Sequence, residues 1–324
     1  TGFKGSWLCA WLLDLGATVA GYSFDVPTEP SHFKALDLAN RIEHFQGDVR
    51  NRSSLKKALN QFSPDIVFHM AAQSLVRESY ENPILTFETN SIGTLNLLDC
   101  LRDQSSVVAA LLITSDKCYE NMEWLWGYRE NDRLGGKDPY SASKACAEII
   151  SKVYMESFWG DKGPAIATTR AGNVIGGGDW ALDRIVPDCV RAWSKGEKVV
   201  VRNPNATRPW QHVLEPLSGY LVLGEKLLKG DRDVKNQSFN FGPSAKVNQS
   251  VGGLIIEIAK YWPGGEWKFE QEINSSKPES TLLKLNCDKA LQILKWNPVL
   301  DFHETIRMTG NWYQTFYAHK ASSI

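Results

Sequence analysis

Gly2-Phe3-Lys4-Gly5 leads straight into an apolar helical stretch, and the strand predicted after it ends at an acid, Asp25, 20 residues past Gly5. No other pair of features constrains the fold as much. Glycines ahead of a helix let the backbone approach a pyrophosphate, and the helix end adds N–H groups and a favourable dipole. An acid at that spacing stands where the ribose hydroxyls of a dinucleotide bind. Its carboxylate repels a 2′-phosphate, and no Lys or Arg beside it would receive one. The expected cofactor is therefore NAD rather than NADP. The chain as given opens inside this turn, at Thr1. A preceding apolar strand and a first glycine two residues before Thr1 are expected, so that the protein begins roughly a dozen or more residues earlier, since a strand runs ~5–6 residues plus its lead-in.

Beyond the turn, strand and helix alternate. The patterning predicts a helix over 7–15 ending at Gly16, strands at 18–23 and 42–45, and a helix over 53–62 capped by Ser53. It then predicts buried strands at 65–70, 107–113 and 165–169, with helical period over 84–102. Asp138-Pro139 reads as a cap and first residue of the next helix. Later helices are expected at 214–228, 253–261 and 302–317, with loops at 176–178 and 203–209. This order predicts an α/β chain: a Rossmann-type doubly wound parallel sheet, its first strand missing from the given chain, with a smaller mixed α/β C-terminal domain. The expected division is 1–172 plus about 211–240 for the cofactor, and about 173–210 plus 241–324 for a nucleotide sugar.

Composition removes several classes of function. The formal net charge is −1, so nucleic acid is not the expected partner. The six cysteines form no C-x-x-C pair, which speaks for reduced thiols in a cytoplasm and against a zinc site or disulfide framework. No apolar run approaches the ~18 residues of a membrane span.

Tyr140 and Lys144 lie four apart on a predicted helix and so share a face. A neighbouring ammonium favours the phenolate that a tyrosine base needs. Ser115 ends the preceding buried strand, where its hydroxyl can hold a substrate oxygen beside Tyr140. Together they suit removal of a proton from a sugar hydroxyl as its carbon is oxidised. Asp48 follows the third strand and is expected to accept from the adenine amino group. The small residues Ala71 and Ala72, with Gln73, would let backbone pass close to the dinucleotide.

In Gly2-Phe3-Lys4-Gly5, Asp48, the 69–73 stretch, Asn90, Ser115, Tyr140 and Lys144, the chain resembles the extended short-chain dehydrogenase/reductase family. Residues 114–119, 126–130, 170–180 and 208–213 are similar to those members that dehydrate CDP-linked glucose. The resemblance implies tightly held NAD and formation of a 4-keto-6-deoxy sugar for bacterial surface polysaccharide. It adds Phe3, Val49, Asn90 and Arg170 to the cofactor contacts and Asn173 to the substrate contacts. Arg208 matches the family's phosphate-binding arginine, and Arg184 and Arg202 are further candidates for the same clamp. His212 is expected to be packed rather than liganding. Asp116 and Lys117 directly follow Ser115 and are the candidate acid/base pair for elimination. Thymidine-linked members carry Asp-Glu there, so this chain departs from them, and a lysine base must act uncharged. The resemblance also implies a homodimer or dimer of dimers, through the helices over 84–102 and 140–158. A 4-epimerase or decarboxylase on the same scaffold, needing no acid/base pair after Ser115, is a second reading. A non-catalytic NAD-binding regulator is a third, against which intact Ser115, Tyr140 and Lys144 argue.

Overall fold

The computed structural model describes residues 1–159, 163–244, 247–270 and 282–322. Parts of the expected C-terminal domain, including 271–281, lie outside the described residues. Helix α1 (Phe3–Asp14) starts at the glycine turn, with Gly2 as its N-cap, and stops before Gly16, whose φ of +83° only glycine adopts without strain. Strand β1 (Ala20–Ser23) pairs in parallel with β2 (Glu43–Gln46). Helix α2 (Arg52–Phe62) follows. Its cap is Asn51, not Ser53: the Asn51 Oδ1 accepts the Ser54 N–H at 3.0 Å. Both residues satisfy the composition rule for a cap, and position alone decided between them.

Strand β3 (Ile66–His69) leads to α3 (Val76–Glu81). Helix α4 (Pro83–Phe87) runs through a π-helical turn, Glu88–Ile92, into α5 (Gly93–Leu101). Strand β4 (Ala109–Ile113) is buried throughout. Helix α6 (Pro139–Tyr154) opens as its sequence predicts, with Asp138 Oδ1 accepting the Ser141 N–H at 2.9 Å and Pro139 at the first position. Strand β5 (Ala165–Arg170) is fully buried.

The chain then leaves this layer. Strand β6 (Val174–Ile175), helix α7 (Ile185–Trp193) and strands β7 (Val199–Val201), β8 (Thr207–Arg208) and β9 (Gln211–His212) precede α8 (Leu214–Leu228). Strand β10 (Gln237–Asn240) returns to the first layer. Strand β11 (Gln249–Ser250), α9 (Val251–Ala259), β12 (Trp267–Phe269), a π-helical turn at Ala290–Leu294 and α10 (Phe302–Ser322) follow. The segment expected to be a loop at 203–209 thus contains β8, which pairs antiparallel with β11. Two residues paired to a distant segment carry no local signal.

Four strands form one parallel sheet in the order β10-β5-β4-β3, beside the β1–β2 pair. One face is covered by α1 and α8, through Leu8, Leu111, Leu217, Tyr220 and Leu223. The other is covered by α2, α5 and α6, through Leu55, Leu97, Leu112, Tyr154 and Ile166. This is the doubly wound arrangement. A second core gathers Trp180, Val190, Trp193, Val201, Leu254, Ile258, Phe302 and Tyr313. Ala290, Leu294 and Trp296 pack into the first core rather than the second. That crosses the expected division, which gave everything after 241 to the smaller domain.

The two cores meet at the triple glycine. Trp7 donates from its indole nitrogen to the Gly177 carbonyl at 2.9 Å and stacks on His32 at 4.5 Å. A Cβ at Gly177 would run into Trp312, and one at Gly178 (φ +84°) into His32. Glycine is required there because the Trp312 and His32 side chains press directly against its backbone.

Candidate functional site

Loops at the carboxyl ends of β3, β4 and β5 converge on one crevice, the general ligand position in open α/β sheets. Ser115 leaves β4 in extended backbone and is buried. Its hydroxyl donates to Asp116 Oδ1 at 2.9 Å and accepts the Lys117 N–H at 3.2 Å. Asp116 is itself buried, and Asn173 Nδ2 approaches its Oδ2 at 3.4 Å. A Cβ at Gly172 would overlap the Asp116 carboxylate, so the glycine makes room for it. Lys117 is less enclosed. Its Nζ lies 3.8 Å from Asp116 Oδ1, and its side chain is 34% exposed.

Helical period brings Tyr140 and Lys144 to the same crevice, and both are buried. Burial pushes the Tyr140 phenol up to about 12; the Ser115 hydroxyl and Arg184 oppose the rise, while Asp116 adds to it. Burial brings the Lys144 ammonium down to about 8, and the positive charge of Lys4 lowers it further. The Lys144 Nζ makes a 3.4 Å hydrogen bond to the Ile113 carbonyl. One long bond uses little of the capacity of a three-donor ammonium.

A dinucleotide fits the residues around this lysine. Apart from the adjoining chain itself, nothing lies within 4 Å of a Cβ built at Gly2 or Gly5, so space remains over the turn. Asp25 is exposed, and its carbonyl accepts from the Thr1 hydroxyl, which puts the acid beside the glycine turn. Ala71 and Ala72 are half-buried just past the carboxyl end of β3.

Several expected contacts take other roles. Asn90 is buried and clamps a loop: it accepts the Gln73 N–H at 2.9 Å and donates to the Gln73 carbonyl at 3.0 Å and to Ser143 Oγ at 2.9 Å. It positions 71–73 against α6 rather than reaching out. Asp48 is engaged by Arg50, whose guanidinium comes within 2.6 Å of its carboxylate. Val49 is buried under Gly93, where a Cβ would collide with it. Arg170 is committed to the protein. Its guanidinium pairs with Glu148 at 2.7 Å and donates to the Tyr119 hydroxyl at 2.7 Å and the Glu130 carbonyl at 2.9 Å, all in the interior. This corrects its assignment to the cofactor, because a buried cation needs such partners to offset its desolvation.

Glu148 has no place in the sequence reading, although it continues the spacing of Tyr140 and Lys144 by another four residues. Burial works against its charge, yet Arg170 and the hydroxyls of Thr114 and Thr168 hold the carboxyl below its usual range. Thr114 precedes Ser115, so this buried pair fixes the strand end that presents the serine. His69 is buried and pushed down to about 3 by burial and by Lys144, so it stays neutral. His212 is packed in the interior, and burial lowers it to about 4.

The smaller domain contributes arginines. Arg184 donates to Asp179 Oδ2 at 2.8 Å and to Ser74 Oγ at 3.0 Å, so it spans the crevice beside Tyr140. Arg202 Nη2 lies 3.8 Å from Asp183 Oδ1. Arg208 donates to the Thr207 carbonyl at 2.9 Å.

The family described as GDP-mannose 4,6 dehydratase matches residues 1–309. A CDP-glucose 4,6-dehydratase of Salmonella typhimurium is 44% identical over 322 residues, covering 98% of this chain and 89% of that protein. Among solved structures, a UDP-glucose 4-epimerase of Thermotoga maritima aligns with a TM-score of 0.83 at 20% identity, covering 98% of this chain and 97% of that one. A dTDP-glucose 4,6-dehydratase of Bacillus anthracis, in complex with NAD, aligns at 0.79 with 21% identity, covering 97% and 94%. At those identities the structures speak for the fold. No helix among the described residues is long and apolar enough to cross a membrane.

Proposed function

The chain belongs to the GDP-mannose 4,6 dehydratase family, within the extended short-chain dehydrogenases/reductases, and from that footing we propose that it converts CDP-glucose to CDP-4-keto-6-deoxyglucose and water. It is an NAD-dependent hydro-lyase. The observation that carries the substrate is the 44% identity to the Salmonella enzyme across 98% of the chain. The site supports it, because Asp116 and Lys117 supply proton-transfer groups beyond the three residues that oxidation needs.

The glycine turn, Asp25 and Lys144 would hold NAD, which when bound accepts and later returns two electrons at the sugar carbons. Ser115 and Tyr140 grip the C4 hydroxyl, and Tyr140 takes its proton as that carbon becomes a ketone. Lys144 keeps positive charge beneath the phenolate. The C5 proton is now acidic, being next to a carbonyl. Lys117, uncharged, removes it, and Asp116, protonated and enclosed between Ser115 and Asn173, gives its proton to the departing C6 hydroxyl, which leaves as water; Lys117 then returns its proton to C5 as C6 is reduced. Such positioned acids and bases typically contribute ~10²–10⁴-fold each. Arg184, Arg202 and Arg208 hold the diphosphate, and Asn173 contacts the sugar.

Ile84, Ile92, Ile149 and Val153 are exposed on the helices of 83–101 and α6. Apolar side chains on adjacent helices support a homodimer or a dimer of dimers through this face.

The test is incubation of the purified protein with the CDP-, UDP-, dTDP- and GDP-linked glucoses. A 4-keto-6-deoxy product from CDP-glucose is expected, and sedimentation of the same sample should give a dimer or larger species. CDP-galactose as the product would instead mark an epimerase. No turnover of any of the four would end the enzymatic reading.

A further inference from the structure

Gln211 opens β9 and is buried, and three of its hydrogen bonds end on main-chain carbonyls. Its side-chain nitrogen donates to the Gly172 carbonyl at 2.9 Å and to the Phe241 carbonyl at 3.1 Å. Its main-chain N–H donates to the Asn173 carbonyl, also at 3.1 Å. One residue thus takes two successive carbonyls of the turn between β5 and β6. Through Phe241, which lies just past β10 in the first core, it ties that turn to the sheet.

The same turn bears on Asp116. The missing Cβ of Gly172 leaves room for the Asp116 carboxyl, and Asn173 Nδ2 stands 3.4 Å from its Oδ2. The turn also needs support. Asn173 sits at φ +53°, in the left-handed region, where a residue other than glycine stays only if its surroundings hold it.

We propose that Gln211 is a positioning residue for the elimination step: by holding the Gly172–Asn173 turn, it sets the Asp116 carboxyl where it gives its proton to the departing C6 hydroxyl. This rests on the reading of the chain as a dehydratase with Asp116 as its acid. The chemistry of the amide favours the role over simple packing. Both partners of the side-chain nitrogen are carbonyls, which only accept, so the amide fits in one orientation. Oε1 is then buried with no hydrogen-bond partner among the described residues. An unpaired buried acceptor is costly, and an apolar side chain of the same length would fill the interior without it. What the amide adds is its two donors, and one of them goes to the turn. None of the three hydrogen bonds reaches Ser115, Tyr140 or Lys144, so oxidation at C4 should not depend on Gln211.

The test uses NAD-loaded protein with CDP-glucose and with CDP-6-deoxy-6-fluoroglucose. The fluoro compound is oxidised at C4 and loses its C5 proton in the same way. Its C6–F bond then breaks to release fluoride ion, which needs no proton from Asp116. Gln211→Met keeps the length of the side chain and removes both donors. The variant should reduce bound NAD at the parent rate with either substrate, and KM should not change. Formation of the 4-keto-6-deoxy product from CDP-glucose should fall ~10²-fold, as when a reacting group moves by about 1 Å. Fluoride release should stay close to the parent rate. Gly172→Ala keeps Gln211 and crowds the Asp116 carboxyl directly, so it should give the same split. A parent-like rate on CDP-glucose from either variant overturns the proposal. It is equally overturned if Gln211→Met slows both substrates alike or no longer reduces NAD, since Gln211 would then support the fold as a whole. A failure of the dehydratase reading looks different: the parent itself would give no 4-keto-6-deoxy product and release no fluoride.

Discussion

The two halves of the crevice are held in different ways. Ser115, Asp116, Tyr140 and Lys144 are all buried, and Glu148 and Asn90 fix the segments that carry them from behind. On the other side, Arg184 and Arg202, which would face the diphosphate, are about one-third exposed. The buried half is preorganised, so each group is irreplaceable at its position and its charge state depends on its neighbours. The open half can exchange partners, so its members should contribute in a graded way and respond to solvent. Kinetics can separate the two.

The largest effect is expected in the buried half. Tyr140→Phe keeps the ring and removes the proton acceptor at the C4 oxygen. The near-ultraviolet absorbance of reduced nicotinamide should then fail to rise when CDP-glucose is added to the NAD-loaded protein. Turnover should fall ~10⁴-fold, the upper end for loss of a positioned base. KM should change little, since the arginines are untouched. A Tyr140→Phe enzyme that still reduced its cofactor at a near-parent rate would place the base elsewhere and break the comparison at its strongest point.

Lys117 stands between the halves, next to buried Asp116 yet one-third exposed, so its variant sharpens the comparison. Lys117→Met preserves length and cannot carry a proton. Oxidation at C4 should survive while elimination stalls, so reduced nicotinamide accumulates and product formation drops ~10²–10⁴-fold. Solvent deuterium should enter C5 far more slowly than in the parent. Product at a near-parent rate would make Lys117 an ion-pair partner of Asp116 only, and Asp116 and Tyr140 would be the next candidates for the C5 base.

This division also decides what the sequence reveals. The buried half is legible because helix geometry turns spacing into position: four residues separate Tyr140 from Lys144, and Asp138-Pro139 marks where the counting starts. The same rule extends to Glu148, so that residue was within reach of the pattern. Arg170 was misread because a buried arginine and a ligand-binding arginine look alike until their partners are known. Asn90 was associated with the cofactor for its motif, whereas its side chain acts on backbone 17 residues away. Arg184 and Ser74 are a different case. They meet only because the 179–184 loop lies against the segment that follows β3, a long-range contact with no local periodicity. The same is true of β8, which exists only through its pairing with β11.

The smallest expected effect tests the open half without any substitution. Charges exposed to solvent are screened as salt rises, with a Debye length of ~10 Å at 0.1 M and ~3 Å at 1 M, whereas enclosed groups are screened much less. Raising potassium chloride over that range should therefore increase KM for CDP-glucose several-fold, because attraction between the arginines and the diphosphate weakens. The rate at saturating substrate should stay within about twofold, because Ser115, Tyr140 and Lys144 remain enclosed. Chloride also competes for guanidinium groups, so potassium acetate at matched ionic strength separates screening from anion binding: equal increases in KM indicate screening. If salt lowered the saturated rate and left KM alone, the sensitive charges would lie in the chemical half, and the arginine cluster would not be what brings the diphosphate in.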